Sequence, residues 1–91
     1  KAMAAMDLVK EKYASNYKKS MNDDGTYVYG DISTPYVLEF DSLHYDEHGK
    51  VYYSFHQYEI VEDDAATGDG HAATLNWYTV YEGENEVIPM F

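Results

Sequence analysis

The residues of this chain that could do chemistry are four histidines, seventeen carboxylates and eleven tyrosines. His44, His48, His56 and His71 first raise the question of a metal. A zinc site needs three or four His, Cys or carboxylate ligands converging at characteristic spacings. These histidines match no such spacing, no HExxH helix is present, and there is no cysteine. Two registers fit a hairpin closing at Asp46–Gly49. One sets His56 opposite Phe40, the other opposite Glu39, and neither brings His44 beside His56. Surface or loop histidine, with no metal and no cofactor, is the expectation.

The carboxylates give two faint cation readings. In Ser20–Tyr27, oxygen ligands would fall at Ser20, Asn22 and Asp24, with Gly25 at the sharp turn and Asp31 in the twelfth position. A calcium loop wants Asp first and a bidentate Glu twelfth, followed by a second helix, so a plain helix stop is preferred. Asp63, Asp64 and Asp69 lie in a polar loop spanning 63–70. It reads as a solvated acidic connection, with cation binding there left open. General acid–base work needs a carboxylate whose pKa is moved by burial or by a neighbour in a cleft. With no phosphate loop, GxSxG elbow or nucleophile–base pairing legible, no enzyme is expected.

Eleven of the aromatic residues are Tyr, against three Phe and one Trp. Tyr27, Tyr29, Tyr36, Tyr45, Tyr52, Tyr53, Tyr58, Tyr78 and Tyr81 fall in or beside segments that alternate like strands. Tyrosine has high strand propensity and makes good cross-strand pairs. Only one sheet face can bury its rings beneath a helix, however. Tyr52, Tyr58 and Tyr78, alternating with Phe55 and Trp77, are the candidates for an outer patch, with His56 beside them. Rigid amphipathic rings on a flat surface suit contact with a protein, a peptide or a sugar.

The elements that must position these rings divide by charge and by period. The chain has 91 residues and a formal charge of −11. Residues 1–20 hold five lysines against Asp7 and Glu11, a balance of +3; residues 21–91 hold Lys50 against fifteen acids, a balance of −14. So acidic a chain is a poor binder of nucleic-acid phosphates. Its length allows one domain, 1–91, and no apolar run is long enough to span a membrane. A first residue of Lys1 is what a processed or trimmed chain would show. Ala2, Ala5, Met6, Val9, Tyr13 and Tyr17 form one helical stripe, predicting a helix over 2–19 with Lys18 and Lys19 in its last turn. Strands are predicted over 26–29, 36–45, 51–62, 71–81 and 86–91, the last an edge because of Pro89. The fold class is therefore α+β: one N-terminal helix packed on one face of a four- to five-stranded antiparallel meander.

The Ala-rich helix, Tyr36–Tyr45, the hairpin Asp46-Glu47-His48-Gly49-Lys50-Val51-Tyr52-Tyr53 and the strand Trp77-Tyr78-Thr79-Val80 resemble PepSY-like domains of exported Gram-positive proteins. The pattern is also similar to the repeats of β-lactamase-inhibitor-like proteins. The resemblance implies a helix on an antiparallel sheet in an extracellular or cell-surface module, often lipoprotein-tethered, non-catalytic and sometimes regulating a peptidase. The functional expectation is a binding module contacting a protein or peptide through Tyr52, Tyr58, Tyr78 and His56, with carbohydrate as a further ligand class. The state expected is a monomer or weak homodimer. Two alternatives stand beside it. One is an acidic mimic of nucleic acid using Glu39, Asp41, Glu59 and Glu62; the other is a peptidase inhibitor presenting loop 63–70.

Overall fold

The computed structural model describes residues 1–30, 35–64 and 66–91. Helix α1 (Ala2–Tyr13) is followed by strands β1 (Lys18–Met21), β2 (Tyr27–Gly30), β3 (Tyr36–Tyr45), β4 (Val51–Asp64), β5 (Asp69–Tyr81) and β6 (Ile88–Pro89). All six strands form one sheet in sequence order, each antiparallel to its neighbour. The architecture is α+β as expected, with six strands rather than four or five.

The additional strand comes from the helix end. α1 stops at Tyr13, with Ala14 as its C-cap and the Ala14 amide bonded to the Lys10 carbonyl at 2.9 Å. Lys10 and Lys12, not Lys18 and Lys19, occupy the last turn. Tyr17 is buried all the same, as is Ala14, which is why Tyr17 continues the apolar stripe in the sequence. The chain reverses there, and Lys18–Met21 pairs with Tyr27–Gly30. Asn22–Gly25 is thus a hairpin turn between β1 and β2, not a helix stop. Lys19 lies over the Tyr27 ring at 4.3 Å, a cation–π contact across that hairpin.

Helix α1 covers the inner face of β3 and β4 through Met6 and Val9, both fully buried. Beneath it lie Leu38, Tyr53, Phe55, Tyr78 and Val80. Tyr13 packs on Tyr78 with ring centroids 4.8 Å apart, and Phe40 lies 5.8 Å from Phe55. Two polar knots cross this core. The Tyr27 and Tyr29 hydroxyls donate to the Asp7 carboxylate at 2.8 and 2.6 Å. Gln57 donates to the Tyr17 oxygen at 3.1 Å and accepts from Tyr78 at 2.6 Å. Among the described residues, no buried side-chain polar atom lacks a partner, as a core containing hydroxyls and an amide requires.

The β3–β4 turn is built as its sequence indicates. Asp46 Oδ1 accepts the His48 and Lys50 amides at 2.8 and 2.9 Å, and Gly49 takes φ +77°. β4 and β5 run further than expected, to Asp64 and from Asp69, so the predicted 63–70 loop contracts to a short connection. The molecule measures 49 × 25 × 24 Å overall, and the distal residues of this hairpin are exposed. The strands approach closely near its tip: a Cβ on Gly70 would stand 2.6 Å from the Val61 carbonyl oxygen.

Candidate functional site

Strand pairing decides which tyrosines face outward. Glu39 pairs with His56 and Phe40 with Phe55, selecting the second of the two hairpin registers. On the other side of β4, Phe55 pairs with Tyr78 and His56 with Trp77. Directly paired residues share a face, so Tyr78 goes inward with Phe55 while Trp77 goes outward with His56. Tyr78 is 3% exposed and lies beneath Tyr13. It is therefore not part of an outer patch, and burial raises its hydroxyl pKa. Alternation could not separate the two sets of β5, since Trp77 with Tyr81 and Tyr78 with Val80 are equally credible core residues. Phe55 opposite Tyr78 separates them.

Tyr52, Tyr58 and His56 do lie on the outer face, half-buried. With Trp77, Tyr81 and His44 they form two stacks. His56 lies flat on Trp77, centroids 4.0 Å apart and planes at 10°, with Tyr58 on its other flank at 4.8 Å. Tyr52 contacts His44 at 5.1 Å and Tyr81 at 5.3 Å. The His56 ring is fixed further by Nε2, which lies 2.8 Å from Thr74 Oγ1. At the end of the second stack, Lys50 Nζ stands 5.3 Å from the Tyr81 ring centre and 3.0 Å from Glu84. The Glu84 hydrogen bond raises the Lys50 pKa, so the ammonium stays charged. The Tyr58 hydroxyl is pushed up by burial and then by the Glu39 charge. Trp77, Tyr81 and His44 are absent from the expected site. Their signal was the pairing itself: each sits directly across from His56 or Tyr52.

The remaining chemistry-bearing residues do not assemble with these rings. Ser42 Oγ lies 2.6 Å from His44 Nε2 and donates to Asp41 at 2.7 Å. A hydroxyl has one proton, and with Asp41 accepting it, His44 must be the donor to Ser42. That is the reverse of a base activating a nucleophile. His71 Nδ1 pairs with Asp63 at 2.7 Å near the hairpin tip, and His48 with Glu47 at 3.5 Å at the other end of the sheet. Among the described residues, no group of three His, Cys, Asp or Glu could hold a metal ion. Of the faint calcium loop, Asn22 bonds Thr26 and Asp24 accepts the Thr26 amide, while Asp31 lies outside the described residues.

A concavity of about 660 Å³ opens between α1 and the turn after β5. Ala5, Leu8 and Val80 form its apolar part, with Glu11, Glu82 and Glu84 among the acids around it. The Tyr53 hydroxyl donates to Glu82 at 2.6 Å and lowers the pKa of that carboxyl, leaving it an ionised acceptor rather than an acid. Lys1 lies 3.6 Å from the same group.

No protein-family model, curated protein or solved structure matches the chain. No helix among the described residues is long and apolar enough to cross a membrane.

Proposed function

We propose that this chain is a non-catalytic binding module whose outer sheet face, centred on Tyr52, His56, Tyr58, Trp77 and Tyr81, contacts a polypeptide partner. The supporting observation is the pair of aromatic stacks on the face opposite α1, locked by ring contacts and by the His56–Thr74 bond. Rings already held in place lose little conformational entropy on binding, which is what a contact surface needs. A partner bearing arginine or lysine suits it. The chain carries −11, Glu39 borders the His56–Tyr58 stack, and Lys50 over Tyr81 occupies an intramolecular version of the same cation–π contact. The exported, surface-tethered setting implied by the PepSY-like resemblance is proposed with it. Locating the full-length protein by cell fractionation tests that setting.

The nucleic-acid-mimic alternative has less support. Glu39 pairs with outward His56, whereas Glu59 pairs with Tyr36 on the Leu38 face, so the carboxylates do not form one line. The peptidase-inhibitor alternative is weakened by the short connection between β4 and β5.

The test uses the fluorescence of Trp77, the single tryptophan, titrated with the peptide RGRGR and separately with a chitin hexasaccharide. Binding of RGRGR that falls by roughly tenfold in Tyr52→Ala and Tyr58→Ala supports the reading, since neither change alters net charge at neutral pH. Unchanged binding in both variants makes the acidity alone responsible and removes the aromatic site. A response to the sugar alone replaces the polypeptide partner with a carbohydrate.

A further inference from the structure

The outer edge of β5 is only partly covered by β6. β6 covers only Tyr78 and Thr79 as a strand, and the Met90 amide then bonds the Trp77 carbonyl at 2.8 Å. Toward the tip, β5 continues through Gly70, Ala72 and Thr74, whose one strand partner among the described residues is β4. The direction of the free groups follows from one hydrogen bond. Ile60 donates its amide to the Pro35 carbonyl at 2.9 Å, on the β3 side of β4. The pair Ile60–Ala72 is therefore of the non-hydrogen-bonded kind, and the N–H and C=O of Ala72 point away from β4. Stepping by two, Gly70 opposite Glu62 and Thr74 opposite Tyr58 present theirs the same way.

Exposed edges are normally blunted by lysine, proline, bulges or inward charge. Three other edges among the described residues are. β1 carries Lys18 and Lys19, β6 contains Pro89, and the uncovered part of β3 is interrupted by the bulge at Asp41. The β5 edge has its bulge at Leu75, and from Gly70 to Thr74 it offers glycine, two alanines, a threonine and His71, the last occupied by Asp63. Ile60 and Leu75, 53% and 42% exposed, flank this ledge with apolar surface. Glu62, Asp64 and Asp69 stand at its tip end, all exposed.

We propose that the β5 edge from Gly70 to Thr74 is a strand-addition site for an extended polypeptide segment with a positively charged end. The segment's backbone completes the ladder at Gly70, Ala72 and Thr74, and its cationic end lies against Glu62, Asp64 and Asp69. Main-chain hydrogen bonds supply the attachment and the acidic tip selects the charge. A second copy of this chain fits less well, because it brings another −11 to the same edge.

The probe is the acetylated, amidated heptapeptide KTVTVTK, read by amide hydrogen exchange at Ala72 and Thr74. In the free protein both amides exchange quickly; with the peptide at about 1 mM both slow by roughly tenfold or more. The same peptide N-methylated at alternate residues, and the acidic version ETVTVTE, leave exchange unchanged. Ala72→Pro removes an outward donor without removing a β4–β5 bond, so it keeps the fold and loses the peptide. Ala72→Val keeps both. Slow exchange at Ala72 and Thr74 in the free protein overturns the proposal, because the edge is then already paired. So does equal protection by the methylated or acidic peptide, or no protection by KTVTVTK. Tyr52→Ala and Tyr58→Ala leave this protection intact, which separates failure of the edge from failure of the aromatic face.

Discussion

The two faces of one sheet use the same residue type for opposite ends. On the inner face Tyr53 and Tyr78 are 3% exposed, and their hydroxyls donate to Glu82 and Gln57. On the outer face Tyr52, Tyr58 and Tyr81 remain half-exposed, and their rings contact histidine and one another. A buried tyrosine must find a hydrogen-bond partner, so the inner rings are tied to specific polar groups. The outer hydroxyls of Tyr58 and Tyr81 reach the carboxylates of Glu39 and Asp46 at the surface rather than a buried partner, and their rings pack on histidine and one another. The covering helix makes the distinction, since residue type and strand propensity are common to both faces.

The largest expected effect lies under the helix. Phe55→Ala should destabilise the fold by about 3–5 kcal/mol in urea unfolding, through lost burial and the cavity left behind. A value near that of an outer-face change would mean that α1 does not seal the inner face. Tyr78→Phe removes a hydroxyl and orphans Gln57 Oε1, so a cost of about 1–3 kcal/mol is expected. A loss of peptide binding with unchanged stability would return Tyr78 to the outer site.

A smaller effect tests the Asp7 knot through pH. Desolvation, then the Asp7 hydrogen bond, pushes the Tyr27 hydroxyl up to about 12, and Tyr29 rises for the same reasons. A raised folded-state pKa favours the protonated form. Its stabilisation is complete below about pH 10, the ordinary tyrosine value, and is lost as pH climbs toward 12. Thermal melts should fall across that window, and Tyr27→Phe with Tyr29→Phe should flatten the decline. The smallest stability effect is expected on the outer face. Tyr52→Ala and Tyr58→Ala should each cost less than about 1 kcal/mol, since these rings bury only part of their surface.

Legibility in the sequence followed the kind of information each element needs. β3 at 36–45 and the Asp46–Gly49 turn were readable because alternation and turn chemistry are local. The helix end was misplaced because Tyr17 continues the apolar stripe while packing from a non-helical position. The make-up of the outer face was half legible. Tyr52, Tyr58 and His56 were placed on the correct face, while Tyr78 was exchanged for Trp77. Period-two alternation defines two sets but not which one is buried when both are aromatic.

By itself the sequence determined an α+β chain, an N-terminal helix followed by an antiparallel sheet rich in acids, and tyrosines numerous enough to line both faces. Those follow from periodicity, turn residues and composition, all encoded within a few neighbouring positions. The tertiary structure decided that Phe55 stands opposite Tyr78 and His56 opposite Trp77, and that β6 pairs with β5 at Tyr78 and Thr79. Phe55 and Tyr78 are 23 positions apart in the chain, and His56 and Trp77 are 21 apart. Their register is fixed by side chains packing across strands and beneath the helix, which no local pattern contains.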